Sequence, residues 1–222
     1  MSHLLVLGGS GRTGSHVLRH AVARGHHVRA LVRNPAAVRP SEQVELIRGT
    51  PADLDDLREA AHGTDAVISA LSNPPPFDHP TFMTDATRNA LTAMGEQGIH
   101  RIVLTSGMGA GDDWAHLSPA VKAVITLAGL TRGYADHHGV DHVVRASGTE
   151  WTLARGVRLT DRPARGPVRA AERGSARPGT WLSRADFAAF LLDAVEQRSW
   201  IGRAPLVWNA PLPRRTLYPS VT

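Results

Sequence analysis

The chain has no cysteine. Disulfides and thiolate chemistry, nucleophilic or metal-binding, are thereby excluded, and a cytoplasmic setting is expected. Lysine is nearly as scarce, with Lys122 the only one among 25 basic residues. Long apolar runs are missing as well. The longest, residues 120–130, is interrupted by Lys122 and falls short of the ~20 residues a membrane span needs. Residues 4–7 are too short for the apolar core of a secretory leader, so no membrane partner is expected. Aromatic residues make up 5% of the chain and are not interleaved with the arginines. The net charge of +5 is therefore not read as a nucleic-acid surface, which would pair a basic stripe with stacking rings.

What is present is a regular alternation. Short runs rich in Val, Ile and Leu at residues 4–8, 28–32, 44–48, 66–71, 101–106 and 151–155 read as strands. Between them, helical periodicity covers residues 13–24, 54–61, 84–97 and 119–146, with a break expected near Gly133, and it returns over 183–195. Strands this apolar, without polar alternation, suit a parallel sheet covered on both faces. The expectation is an α/β fold, a Rossmann-type doubly wound parallel sheet with a small C-terminal substrate-side lobe. A chain of 222 residues fits one such domain, placed at residues 1–210. Its substrate-side elements are expected mainly at 111–135 and 156–182, the latter rich in Pro, Gly and Arg, and residues 211–222 are expected to be a loose tail.

The first turn carries the clearest chemistry. Gly8, Gly11 and Gly14 form G-x-x-G-x-x-G directly after a strand and directly before a helix. In that context the glycines allow a tight turn, close approach of backbone to a pyrophosphate and tight helix–strand packing, with free N–H groups at the helix start. The plain alternative is a turn without a ligand. The second strand then decides which dinucleotide. An NAD site places an acid about 20 residues on, against the ribose 2′-hydroxyl, yet no acid occurs between Ser15 and Ser41. Arg12 lies within the turn and Arg33 ends the second strand; two guanidiniums there suit a 2′-phosphate. The reading is NADP(H).

The blocks "GGSGRTGSHV", "ALVRNP", "DAVISAL", "RIVLTSGMGAGD", "RASGTEWTLARGVRLTD" and "SRADFAAFLLDAV" resemble, in order, the NmrA-like, NAD(P)H-binding atypical short-chain dehydrogenases. The flavin reductase/biliverdin-IXβ reductase branch is similar in length and in most blocks. The resemblance implies a Rossmann fold with NADP and substrate at the carboxyl ends of the strands. It adds Thr13, Ala70, Leu71, Ser72 and Thr105 to the cofactor contacts and Met108 to the substrate side. Three departures stand out. Thr50 replaces an acid near the adenine, and Gly156 replaces a proline after Arg155. The Tyr-x-x-x-Lys pair of short-chain dehydrogenases is here Tyr134-x-x-x-His138, and a neutral histidine supports a tyrosine less well than a lysine. The register is ambiguous by one residue: counting back from "RASG" puts Gly133 at the tyrosine position.

The candidate catalytic residues are therefore Ser106, at the end of the fifth strand, with Tyr134 and His138. Ser106 either hydrogen-bonds a substrate carbonyl or satisfies the strand end. His138 and His142 have the i, i+4 spacing of a metal pair, but no third ligand is signalled and no metal site is expected. Phe77 and His79, on the proline-rich loop after the fourth strand, and Arg155 and Arg158, after the sixth, are candidates for the substrate side. Residues 120–130 form either a lid or a subunit contact. The functional expectation is an NADPH-dependent oxidoreductase passing hydride to a planar conjugated acceptor: a flavin, a quinone, or an enone or ketone intermediate. The alternatives are an NADP-binding redox sensor or regulator without turnover, and an isomerase or cyclase on the same fold. The expected partner is a small molecule, with no nucleic acid, in a monomer or homodimer.

Overall fold

The computed structural model describes residues 1–39 and 41–210. The expected tail, residues 211–222, lies outside the described residues. The first half is a strict alternation: β1 (His3–Leu7), α1 (Gly14–Ala23), β2 (His27–Val32), β3 (Val44–Arg48), α2 (Leu54–Ala61), β4 (Ala66–Ser69), α3 (Phe82–Glu96) and β5 (Arg101–Gly107). The second half continues with α4 (Pro119–Leu127), α5 (Thr131–Arg145), β6 (Glu150–Gly156), β7 (Leu159–Thr160), β8 (Val168–Ala171), β9 (Leu182–Ser183), α6 (Arg184–Glu196) and β10 (Leu206–Asn209).

Eight strands form one sheet in the order β3-β2-β1-β4-β5-β6-β10-β8. All neighbours are parallel except β10 and β8. Connections run outward from β1 towards β3 and, on the other side, from β4 towards β6. The reversal at β1/β4 opens a crevice at the carboxyl ends of these strands, where ligands of such sheets bind.

The period of two along each strand sorts the core into two layers. Leu4 and Val6 of β1 pack with Val17 and Leu18 of α1 and Phe187 and Leu191 of α6. Leu5 and Leu7 face the opposite way, against Leu57 of α2, Met94 of α3 and Val144 of α5. Both faces of the sheet are thus covered, which is why the strands read as unbroken apolar runs.

Helix starts follow local chemistry. Asp53 caps α2 by accepting from the N–H groups of Asp55 and Asp56, and Ser118 caps α4 ahead of Pro119. Ser183 caps α6 by accepting from the Asp186 N–H. The cap of α3 comes from another helix: buried Asp136 of α5 accepts from the N–H groups of Met83 and Thr84, each at 2.9 Å.

One expectation is corrected and one is extended. The break in the long helical stretch falls at residues 128–130, where Gly129 takes φ +68°, and not near Gly133. Gly133 lies within α5, and its missing side chain makes room for the Phe77 ring, 2.8 Å from the would-be Cβ. The stretch 156–182 is more than a loop-rich lobe. It contributes β8 to the main sheet and pairs β7 with β9 in a small parallel ribbon.

Candidate functional site

The glycine turn joins β1 to α1. Gly8 takes φ +79°, and a side chain there would press on the Ala70 carbonyl. Its own carbonyl accepts from the Gly11 N–H at 2.9 Å. A side chain at Gly14 would collide with that same carbonyl, whereas one at Gly11 would stand 3.1 Å from it. Gly8 and Gly14 therefore build the turn, and Gly11 leaves it open. Thr13 makes no side-chain cap to α1, and no acid occupies the helix's first turn. The start of α1 is thus available to a ligand anion.

Beside the turn lies a cavity of about 300 Å³. Gly11, Arg12 and Thr13 form one wall and Ala70, Leu71 and Ser72, just past β4, form the next. Thr105, Ser106 and Gly107 of β5, His137 of α5, the end of β6 and Arg184 and Phe187 of α6 complete it. Ser106 is buried, and Thr105 donates from Oγ1 to the Leu71 carbonyl at 3.4 Å. A larger groove of about 500 Å³ runs on the outer side of α1, between Leu18, Val22, Val38 and Val44. It shares no lining residue with this cavity and lies away from Ser106.

Eight residues expected along the cofactor or at the reaction centre are thereby brought together: Gly11, Arg12, Thr13, Ala70, Leu71, Ser72, Thr105 and Ser106. Arg33 stands exposed just past β2, outside this cavity. The other expected residues do not line it. Tyr134 turns its hydroxyl to donate to the Met108 carbonyl at 3.2 Å and packs on Trp114, ring centres 5.4 Å apart. Burial raises its phenol above the ordinary value. His138 accepts from the Gly111 N–H at 2.8 Å through Nδ1 and meets Trp114 edge-on. Its ring fastens the short helical turn Gly111–His116 instead of supporting Tyr134. Phe77 is buried against Gly133, and His79 is exposed. Met108 serves through its backbone, its N–H donating to the Gly156 carbonyl at 3.2 Å.

Arg155 and Arg158 also lie outside this cavity. Arg155 is 3% exposed. Its Nη2 is shared between Asp112, at 2.5 Å, and Asp141, at 2.7 Å, so its charge is already matched. Arg158 is exposed and accepts from the Leu182 N–H through its carbonyl. Among the described residues, no group of three or more metal-ligating side chains is gathered.

Two of the cavity's polar residues were not anticipated. His137 carries a buried Nδ1 with no hydrogen-bond partner among the described residues. Burial is the chief reason its pKa lies below the ordinary 6.5, with His138 adding to the effect and Asp136 opposing it. The signal was the one-residue ambiguity: with Gly133 at the tyrosine position, His137 falls four residues later, where the lysine would stand. Arg184 is the other. It sits inside "SRADFA", a block with no charge pattern to mark it.

A family model described as NAD(P)H-binding matches residues 8–198. Among curated proteins, cinnamoyl-CoA reductase 1 of Oryza sativa subsp. japonica is 33% identical over 126 residues, which are 51% of this chain and 36% of that protein. The chain spans about a third of the length of the curated relatives it matches. Among solved structures, the anaerobillin reductase ChuY from Escherichia coli O157:H7 has a TM-score of 0.80 at 20% identity, covering 96% of this chain and 99% of that one. A wide-type short-chain dehydrogenase/reductase from Veillonella parvula in complex with NADP has a TM-score of 0.79 at 16% identity and covers 99% of both chains. At these identities the likeness is one of fold: a Rossmann-type α/β sheet.

Proposed function

Because the chain belongs to the NAD(P)H-binding family, we propose that it is an NADPH-dependent reductase delivering hydride to a planar conjugated acceptor such as a flavin, a quinone or an enone. The observation that carries this reading is the make-up of the cavity. Towards β5 and α5 its polar groups are the hydroxyls of Ser106 and Thr105 and the unpartnered ring nitrogen of His137, with Arg12, Thr13, Ser72 and Arg184 on the other walls, while Tyr134 is held elsewhere by Met108. An acceptor whose charge delocalises after reduction needs a hydrogen-bond donor more than a strong acid.

The residues present fit a dinucleotide. The open turn at Gly11 and the uncapped start of α1 would hold the diphosphate, and Arg12 and Arg33 the 2′-phosphate. When bound, the nicotinamide supplies the hydride. Ser106 donates a hydrogen bond where negative charge grows on the acceptor, which is the interaction that strengthens in the transition state. His137, kept neutral by its burial, offers one hydrogen bond at the cavity floor and so orients what lies against it. The proton comes from water or is not needed. The likeness to a cinnamoyl-CoA reductase and an anaerobillin reductase supports a reductase with an extended unsaturated acceptor. Residues 1–210 are taken as the functional unit.

The test has two arms. Titration calorimetry is expected to show NADPH bound at least about tenfold more tightly than NADH, a gap of ~1.4 kcal/mol. Steady-state NADPH oxidation is then measured against flavins, quinones and enones. Equal binding of the two nucleotides overturns the 2′-phosphate assignment. Tight NADPH binding without turnover on any acceptor class moves the protein to the second reading, a sensor without turnover. The absence of a lysine four residues after Tyr134, where His138 stands, favours that reading.

A further inference from the structure

At the mouth of the cavity one carboxylate faces two guanidiniums. Arg184 opens α6, its side chain is 10% exposed, and its Nη1 donates to Asp161 Oδ1 at 2.7 Å. The other oxygen of the same carboxylate stands 3.7 Å from Nη1 of Arg12 in the glycine turn. Both arginines line the cavity. Asp161 is 64% exposed, so it is not a buried structural acid.

The backbone presents this carboxylate in a fixed place. Thr160 and Ser183 are register partners in the β7–β9 ribbon, so the residues that follow them, Asp161 and Arg184, come out side by side. A few residues further on, the N–H groups of Arg165 and Gly166 donate to Asp186 of α6. The segment is thus fastened on both sides of Asp161, by β7 and by the Asp186 contact. The result is a single negative charge held against two positive ones, beside an uncapped helix start. That is the charge pattern of a phosphate site with a carboxylate in the phosphate's place.

We propose that Arg184 is a further phosphate-binding arginine of the cofactor site, and that Asp161 is its counter-anion in the cofactor-free protein, displaced by the cofactor diphosphate. The inference rests on the NADPH reading above and adds to it a residue pair that sets cofactor affinity. A carboxylate carries one charge and the diphosphate two, so the exchange favours the cofactor while Asp161 weakens its net binding. Removing the carboxylate charge therefore tightens the cofactor, and removing the guanidinium loosens it.

The experiment is a double-mutant cycle on the full chain, read as the NADPH dissociation constant by titration calorimetry. Asp161→Asn is expected to lower the constant by about three- to tenfold at low salt, with the gain shrinking as ionic strength rises. Arg184→Gln is expected to raise it about tenfold. In the Arg184→Gln background the Asp161→Asn gain should largely vanish, because the two residues act on one ligand. If wild type binds NADPH and Asp161→Asn binds equally or more weakly, the proposal is overturned. An undiminished gain in the double variant overturns the role of Arg184. Binding by neither wild type nor any variant overturns the cofactor reading itself, and this proposal with it. Asp161 is exposed, so its variant decides the question even if circular dichroism shows Arg184→Gln to be unfolded.

Discussion

Two arginine–aspartate clusters lie towards the carboxyl ends of the strands, and they differ in what they leave free. In the first, Arg155 is buried between Asp112 and Asp141, and Arg145 closes the group by reaching Asp141 at 2.5 Å and Asp112 at 3.2 Å. Two cations meet two anions. Burial alone would raise the Asp112 carboxyl, yet the Arg155 hydrogen bond and charge outweigh it and hold the pKa below its ordinary value. In the second cluster, Arg12 and Arg184 share the single exposed carboxylate of Asp161. The residue types are the same. A closed, charge-balanced set, buried at Arg155 and Asp141, welds the loop before α4 to α5 and β6; an open, under-neutralised set at a cavity is ready for an anion. Position at a strand end does not by itself distinguish them, because the balance of charges already in contact decides.

The strongest way to break this comparison is Arg155→Ala. Removing the buried guanidinium takes from Asp141 one of its two cations and leaves only Arg145, at a cost of up to about 3–5 kcal/mol. Denaturant unfolding should show that loss while the folded fraction keeps its NADPH affinity. Normal stability with lost binding would make the closed cluster a site after all. Next in size is Ser106→Ala, expected to lower kcat by about 10²–10³, as for the loss of an oxyanion donor. Tyr134→Phe serves as its control and should change kcat by less than about threefold, since it removes only a neutral hydrogen bond to Met108. The reverse ranking would point to a ketone acceptor whose alkoxide needs a proton.

A smaller effect sharpens the open side of the comparison. Arg33→Asp should erase or invert the roughly tenfold preference for NADPH over NADH, a change of ~1.4 kcal/mol or more; calorimetry with both nucleotides reads it. The smallest effect concerns the histidines. His137 and His138 have folded pKa values lowered chiefly by burial, so the unfolded chain takes up protons first as pH falls. Their contribution to stability is complete above the ordinary value of 6.5 and is lost as pH drops below it. His137→Asn should therefore flatten the decline in stability between neutral and mildly acid pH, and an unchanged slope would remove His137 from the account.

Much of this was legible in the chain. The glycine spacing, the apolar strand runs and the Asp53, Ser118 and Ser183 caps act within a few residues, so local sequence determined β1 to β6 and the glycine turn. The absence of acid between Ser15 and Ser41 is read from the chain in the same way, and the preference for NADPH that it suggests is what calorimetry decides. The second half was less legible. β10 and β8 are short, and β8 lies in a stretch rich in Pro, Gly and Arg; each is a strand only because a distant edge pairs with it. The helix break falls at Gly129, which takes a positive φ, and not at Gly133, whose missing side chain admits Phe77 from far away in sequence. The catalytic side differed for a geometric reason. Successive helix residues point about 100° apart, so a one-residue ambiguity of register exchanges His138, fixed on Gly111, for His137, which faces the cavity. Arg155 found partners 14 and 43 residues away, and Arg184 met Asp161 across a ribbon of two residue pairs. By itself the sequence determined which charges and turns the protein owns. Only the tertiary structure decided which charges neutralise one another and which remain for a ligand, because that depends on distances between residues the chain keeps far apart.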